Sequence, residues 1–459
     1  MSLNDTIKDK IRNYLGITEA HGLSINIEQL LDFEAEAFKS KIWTRGEANE
    51  LANFYEALDQ YKNDNHFWSA RSSEGAKIRK IHTGLPGLII EKLTEVCRND
   101  FLGVTVDNRQ QDWDAIAEEN NFGELLSECI SSVLSLGDGA FKFSYDRTIS
   151  ELPIIEFFPA DRVDFEYCRG RLQTIVFKTE KILKKKKYTL KEHYSKTGIT
   201  YTIEDTDGKE VEFQSFPELA KLQPITNKAG FIPAVPVMFY KSSKYKGRGK
   251  SIFTGKYDNF DSFDEVVSQW MLALRKGQIK TYIPENLLPR DPKTGMTRNY
   301  NEFDNDYISI ESNMAEGANN KIETTQGTIQ HEALLSTYCT ILDLCLQGII
   351  SPSTLGIDVK KLDNAEAQRE KEKTTLYTRD KVVEVLQEVI CDVVTTALKF
   401  SDNIRQKGTE GEITVTVAFG GYANPSFEAQ VETVGKAVQF GIMSTEAAVD
   451  ELYGDDKDE

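Results

Sequence analysis

GIISPSTLGIDVKKLDNAEAQREKEKTTLYTRDKVVEVLQEVICDVVTTALKF, residues Gly348 to Phe400, is the stretch on which the fold turns. Gly348, Pro352 and Gly356 break a helical pattern, which resumes at Asn364 and runs to about Phe400. Val382, Leu386, Val389, Ile390, Val393 and Ala397 form one apolar stripe in its second half. The first half, AEAQREKEKTT, is almost wholly polar, so the spacing predicts a helix unusually long for a compact domain, solvated or at a polar interface at its start. Upstream, Gln330 to Ile350 carries Leu334, Tyr338, Ile341, Cys345 and Ile349 at helical spacing. Thr281 to Gly327 is irregular, with Pro284, Pro289, Pro292 and Gly295 and one short strand candidate, YISIES. Before it, Phe260, Phe263, Val267, Trp270 and Leu274 predict a helix from Asp258 to Ile279, on the order of 30 Å long. Its stripe is read as a helix–helix seam rather than a cofactor box.

The rest of the chain divides by period. The first 136 residues read as helical, with Pro86 in the first turn of one helix and another from about Trp113 to Leu136. Gly137-Asp138-Gly139 marks a change to strands. AFKFSYD, PIIEFF, RVDFEY and TIVFKTE read as an antiparallel meander, continued by YTLKEHYS, GITYTIED and KEVEFQ. After the long helix come a strand, ITVTVAF, and short helices around Ser426 to Phe440 and Ser444 to Leu452. From Gly441 to Glu459 there are seven acidic residues and one Lys, a solvated acidic tail. The fold class is α+β.

A length of 459 residues is roughly three times the ~150 of one ordinary domain, so several cores or one elongated subunit are expected. Hydrophobic residues at 40% and charged residues at 28% exclude collagen-like and disordered classes. No apolar run approaches the ~18 residues of a spanning helix, so no membrane association is expected. The start, MSLNDTIKDKIRNYLG, reads as an amphipathic helix rather than a signal peptide. The formal charge of −18 repels a polyphosphate unless basic residues gather on one face. Six scattered cysteines without a CxxC pair read as reduced core thiols, and five separated histidines form no ligand spacing, so neither metal nor cofactor is expected.

Few constellations carry chemistry. GRGKS, Gly247 to Ser251, invites a phosphate-loop reading, yet Lys244 stands where the leading glycine belongs. It reads as a linker before a helix. The basic run Lys181 to Lys187, placed in a loop between strands, reads as a solvated edge or a contact to a negative neighbour. Asp161 with Asp164, and Asp455 with Asp456, read as surface carboxylates, and GxSxG elbows are absent. No enzyme is expected.

The order of parts resembles the portal proteins of tailed bacteriophages, of the type found in phages and prophages of Gram-positive bacteria. SLGDGAFKFSYD (Ser135 to Asp146) followed by PIIEFFPADRV (Pro153 to Val163) is similar to one segment of that family. IPAVPVMFY with GRGKSIFTG (Ile232 to Gly255) resembles the entry to its first stem helix, and Gly348 to Thr375 the loop and start of its long helix. The resemblance implies a wing over 1–255, a stem helix over 256–279, a clip over 280–330 and a second stem helix over 331–350. It further implies a tunnel loop over 351–363, a long wing helix and return strand over 364–424, and a short crown with acidic tail over 425–459. The family's fold is a mixed α/β wing, helical stem, small α/β clip and helical crown.

As for function, the resemblance implies a homo-oligomeric ring of twelve subunits at the capsid vertex, through which double-stranded DNA is packaged and ejected. The large terminase subunit, which hydrolyses the ATP, the major capsid and scaffold proteins, and a head-completion or connector protein are the implied partners. The virion, and the host cytoplasm during assembly, are the implied locations. Asp358, Lys360 and Lys361 are expected to face the lumen, and Arg290, Lys293 and Arg298 to contact the terminase or connector. Two other classes stay open: a scaffold or adaptor of another kind, and a nucleotide-binding enzyme built on GRGKS.

Overall fold

The structure is a computed structural model. It describes residues 33–62, 66–70, 78–183, 186–213, 216, 219, 222–226, 230–284, 308–310, 322–357, 365–405, 413–420 and 427–449 except 442 and 446. Three helices open it: α1 (Phe33–Arg45), α2 (Ala48–Lys62) and α3 (Leu85–Asn99). Gly84, in the left-handed region at φ 69°, turns the chain into α3, and Pro86 occupies its first turn, where no amide donor is lost. Leu85, Ile89, Ile90, Leu93 and Cys97 are buried, more than one face of that helix.

The single helix expected from Trp113 to Leu136 is two, α4 (Gln110–Glu119) and α5 (Phe122–Leu136). Asn121 between them is left-handed at φ 48°, a conformation a short amide side chain tolerates. Asn120 holds the corner: its amide group donates to the Ile116 and Pro153 carbonyls, and its side-chain oxygen accepts the Ile155 N–H at 2.8 Å. Strand β1 (Phe101–Val106), inside a region read as helical, pairs antiparallel with β13 (Val415–Phe419), Phe101 opposite Phe419.

The expected meander is divided between two sheets. β2 (Gly139–Ser144) pairs antiparallel with β3 (Ile154–Pro159) on one side and β9 (Ala234–Val237) on the other. After a 3₁₀ turn at Ala160–Arg162, β4 (Val163–Cys168), β5 (Arg171–Leu183), β6 (Lys186–Ser195), β7 (Gly198–Asp205) and β8 (Ile225–Thr226) form a five-stranded antiparallel sheet. KEVEFQ is not one of its strands; only Glu210 bridges, to Glu204.

α6 (Tyr257–Lys276) leads to β10 (Lys280–Pro284), β11 (Ile308–Ile310) and β12 (Glu323–Thr325), a separate three-stranded sheet. α7 (His331–Leu346) returns, and the 40-residue α8 (Ala365–Ile404), about 60 Å long at helical rise, follows before β13 and α9 (Phe427–Gln439). The main core joins α1 to α5, β2, β3, β9, the first half of α6, the end of α7 and the second half of α8. The stripe expected on α8, Val382 to Ala397, is buried there.

One buried charge group fixes the corner between these layers. The Arg248 guanidinium grips Asp138 through Nε (2.8 Å) and Nη2 (2.9 Å) and reaches Asp164 (3.0 Å) and the Ala160 carbonyl (2.8 Å). It also stacks 3.8 Å over the Phe33 ring. Asp138 accepts the Gly249 N–H as well; burial pushes its carboxyl above the usual range, opposed by Arg248. Breaking such a pair leaves a buried charge, so Arg248→Met is expected to destabilise the fold by about 3–5 kcal/mol in urea unfolding. Adding Asp138→Asn is expected to recover part of that loss, and a double variant as unstable as the single would show that the stranded carboxylate is not the cause.

Candidate functional site: the helix pair and the turn into the long helix

α6 and α7 run antiparallel. Near one end Lys256 Nζ and Asn259 Nδ2 donate to the Leu344 carbonyl at 2.8 and 3.2 Å. Midway Tyr338 meets Phe263 at 5.1 Å and Trp270 at 5.9 Å between ring centroids. At the far end a methyl group on Gly277 would overlap the Ile329 side chain, so glycine permits the close approach. Phe263 and Trp270 of the expected stripe form the helix–helix seam, whereas Leu274 is exposed.

The inner half of α6 is rooted by carboxylates that the sequence reading did not single out. Asp264 accepts the Thr83 N–H (2.9 Å), the Thr83 hydroxyl (2.8 Å) and a bond shared with His82 Nδ1 (2.6 Å). Both the His82 and Asp264 side chains are 1% exposed, and His82 lies between Trp43 and Trp68. One turn earlier Asp261 accepts the Phe67 N–H at 2.9 Å, and burial raises its pKa. Ser268 Oγ accepts the Ile81 N–H. The signal was legible: Phe260, Asp261, Asp264 and Ser268 share one helical face, which places acids inside an apolar stripe.

Beyond the pair, β10 runs parallel to β11 and antiparallel to β12, Tyr282 opposite Ile308 and Glu323. Arg290, Lys293 and Arg298 lie between β10 and β11, outside the described residues. On the other side, the turn Ser351 to Ile357 is packed. Its N–H groups bond back to Ser351, Pro352 and Ser353, and Ser351 N–H donates to Thr375 Oγ1 at 2.8 Å. Thr378 Oγ1 donates to the Ile349 carbonyl at 2.7 Å, and Thr375 is fully buried. The first seven residues of the stretch read as a tunnel loop are therefore anchored to α8. Asp358, Lys360 and Lys361 lie outside the described residues. An open cleft of about 590 Å³ lies between this turn and α3, lined by Lys92, Glu95, Asn99, Ser353 and Thr354 among others.

The remaining motifs are used structurally. In GRGKS the Gly249 N–H is taken by Asp138 and the Lys250 N–H by the Tyr240 carbonyl at 2.8 Å, so neither amide is left for a phosphate. A methyl group on Gly249 would overlap the Gly137 carbonyl; the glycine serves close backbone approach. Lys181, Lys186 and Lys187 of the basic run are not in a loop but on β5 and β6, Leu183 opposite Lys186, while Lys184 and Lys185 lie outside the described residues. Lys178 pairs with Glu34 and Asp164, Lys187 with Glu180, and Lys191 with Glu204. Asp161 is tied to Lys41 at 2.7 Å, while Asp455 and Asp456 lie outside the described residues. Cys97, Cys129 and Cys345 are buried, with Cys97 and Cys345 pushed up to about 12 by burial, whereas Cys168 is exposed. Among the described residues no three His, Cys, Asp or Glu side chains group as a metal site, and no helix is long and apolar enough to cross a membrane.

No family model and no curated protein matches the chain. Solved structures do. A chain from the neck of a native gene transfer agent (GTA) particle, computed with twelve-fold symmetry, is 9% identical with a TM-score of 0.43, covering 80% of this chain and 89% of that one. A chain from the virion of the native particle is 11% identical and one from the neck of the empty particle, computed with six-fold symmetry, is 9% identical. Each has a TM-score of 0.43 and covers 83% of this chain and 95% of its own.

Replacing Asp264 with Ala strands the Thr83 N–H and the His82 ring, a loss of roughly 3–5 kcal/mol for partners of a buried charge. Hydrogen exchange in Asp264→Ala is expected to rise first at the Ile81 and Thr83 amides; protection there equal to wild type would show that the carboxylate does not root this segment.

Proposed function

We propose that this chain is a portal subunit of a tailed phage or phage-like particle. In this reading it forms a ring at the capsid vertex, through which terminase packages DNA and from which DNA is ejected. The ring would also attach head-completion and tail proteins. The observation that carries the reading is one run of elements. An antiparallel helix pair, α6 and α7, leaves the main core, bears a small sheet at its far end, and returns through a packed turn into a 40-residue helix rooted in that core. That is the order of stem, clip, stem, loop and wing helix which the resemblance implies. The charge supports it: each lysine–phosphate contact adds salt-dependent affinity that resists sliding, and a chain at −18 with Lys187 and Lys191 of its hairpin paired suits a passage better than a grip.

In this reading the wing is 1–255, the clip 280–330, and the lumen is approached by Asp358, Lys360 and Lys361. Arg290, Lys293 and Arg298 remain the proposed contacts for the terminase or connector. The purified protein is expected to form a closed ring of about a dozen subunits, with a central hole in negative stain and a matching mass in solution. A stable two-fold dimer would overturn the reading. Because Ser351 to Ile357 is packed, the informative deletion is 358–363. It is expected to leave the ring assembled and abolish packaging or DNA retention, and normal packaging by that variant would remove the loop from the mechanism.

A further inference from the structure

The stretch from Leu219 to Tyr257 breaks the charge balance of the chain. Its thirty-nine residues include eight Lys or Arg and no Asp or Glu, although 73 of the 459 residues are acidic and about six would be expected there. Five of those cations fall in KSSKYKGRGK, Lys241 to Lys250. The structure folds this segment into a tight hairpin: Ser242 N–H donates to the Arg248 carbonyl at 2.9 Å, Lys250 N–H to the Tyr240 carbonyl at 2.8 Å, and Lys241 lies opposite Gly249. Gly247, left-handed at φ 79°, makes the bend, and a methyl group there would overlap the Tyr167 ring that packs against it.

Two of the five are used inside the molecule. Arg248 turns inward to Asp138 and Asp164, and Lys244 sits beside Glu36 at 3.3 Å. Lys241, Lys246 and Lys250 are exposed. Tyr167 brings in the turn between β4 and β5, where Arg169 and Arg171 are exposed, and Lys381 of α8, also exposed, lies 4.6 Å from the centre of the Tyr240 ring. Among the described residues none of these six cations is in an ion pair. Asp380, next to Lys381 in sequence, is held by Arg379 instead. Three elements thus place uncompensated positive charge around one hairpin of an acidic chain.

We propose that this patch is a docking surface for a short acidic segment of a partner protein. Charge complementarity gives the sign of the occupant, and the field of the whole chain selects its class. A duplex carries one negative charge per ~1.7 Å and extends past the patch on both sides, so it meets the repulsion of the net −18 along its length. An acidic peptide segment meets only the charges within a Debye length, ~8 Å at physiological salt, and there the cations prevail. The backbone agrees with side-chain recognition: the Gly249 and Lys250 amides are spent on Asp138 and the Tyr240 carbonyl, so the hairpin offers lysine and arginine heads rather than a phosphate cradle. The inference stands apart from the ring reading.

The test is fluorescence anisotropy of the purified full chain with a labelled oligoglutamate peptide and, separately, a labelled short DNA duplex, at about 0.15 M salt. The wild type is expected to bind the peptide more tightly than the duplex. Lys241→Glu, Lys246→Glu and Lys250→Glu together, at exposed positions, are expected to keep the wild-type urea midpoint and weaken peptide binding at least ~10-fold. The same charge change placed at Lys181, Lys186 and Lys196, all exposed on or beside β5 and β6, is expected to weaken it less than ~2-fold. Arg169→Glu with Arg171→Glu is expected to cost about 3–5-fold, which would place the β4–β5 turn in the same surface. Equal losses in the two triple variants would show that net charge and not this hairpin holds the peptide, and would overturn the site. No peptide binding by the wild type would overturn it as well. Tighter binding of the duplex, lost in the Lys241, Lys246 and Lys250 variant, would overturn the choice of a protein partner.

Discussion

The contact between Arg248 and Asp138 is the constraint on which the other layers depend. Asp138 sits at the corner where α5 ends and β2 begins, and Arg248 lies on the segment that feeds α6. The same guanidinium reaches Asp164 of β4 and the carbonyl of Ala160, so one side chain joins the three-stranded sheet, the five-stranded sheet and the approach to the helix pair. Gly137 and Gly249 let the two backbones meet at this point; Gly137 is at φ 109°, and a methyl group there would come within 2.8 Å of Lys250 backbone. Ser40 of α1 adds a hydroxyl that donates to the Ser135 carbonyl at 2.5 Å. A buried ion pair of this sort contributes less to net stability than its geometry suggests, because desolvation offsets attraction. Its effect is to make alternative packings of these layers expensive.

Given that corner, the direction of α6 follows. Asp261 and Asp264 face the segments 66–68 and 81–83, which places the first half of the helix inside the core. Past Ser268, Met271 and Leu274 come into solvent. The second tie is at the other end of the loop, where Thr375 and Thr378 hold Ile349 and Ser351. α8 is in turn held at both ends of its packed half: Arg379 reaches Asp100 and the Gly420 carbonyl, and Arg109 grips Asp402 through two bonds near 2.8 Å. The helix pair thus has both of its roots in one hydrophobic core.

Much of this was legible in the sequence wherever one period dominated a long segment. The α8 stripe from Val382 to Ala397, the α6 seam through Phe263 and Trp270, and the Pro86 start of α3 follow from spacing alone. What was not legible depended on distant partners or on single residues. FLGVTV, Phe101 to Val106, is too short to declare itself, and its partner lies more than three hundred residues away at Val415 to Phe419. The break at Asn121 needs one left-handed residue inside a continuous apolar pattern, which periodicity averages away. The meander divides because Ala234 to Val237 claims the free edge of β2, a long-range pairing that local alternation does not encode. GRGKS looked like a motif and is a packing device, because its amides find partners only once Asp138 and Tyr240 are brought beside it.

Charge shows the same separation between what is counted and what is placed. The run from Lys181 to Lys187 was read as a solvated edge or a contact to a negative neighbour; its described residues lie on a hairpin, whose strands alternate their side chains between two faces. Lys187 and Lys191 lie on the same face, each beside a glutamate, and Lys142, on β2, reaches Glu156 and Glu192. Cations neutralised locally add little to the long-range field, which is then governed by the net −18 of the whole chain. Under the proposed reading this is the useful arrangement. Affinity for a duplex falls with salt by nearly one power per phosphate neutralised, so a subunit repeated around a ring multiplies any free lysine near the axis into a strong grip. Spending lysines on intrachain carboxylates keeps the wing folded and leaves a passing polyanion little to hold.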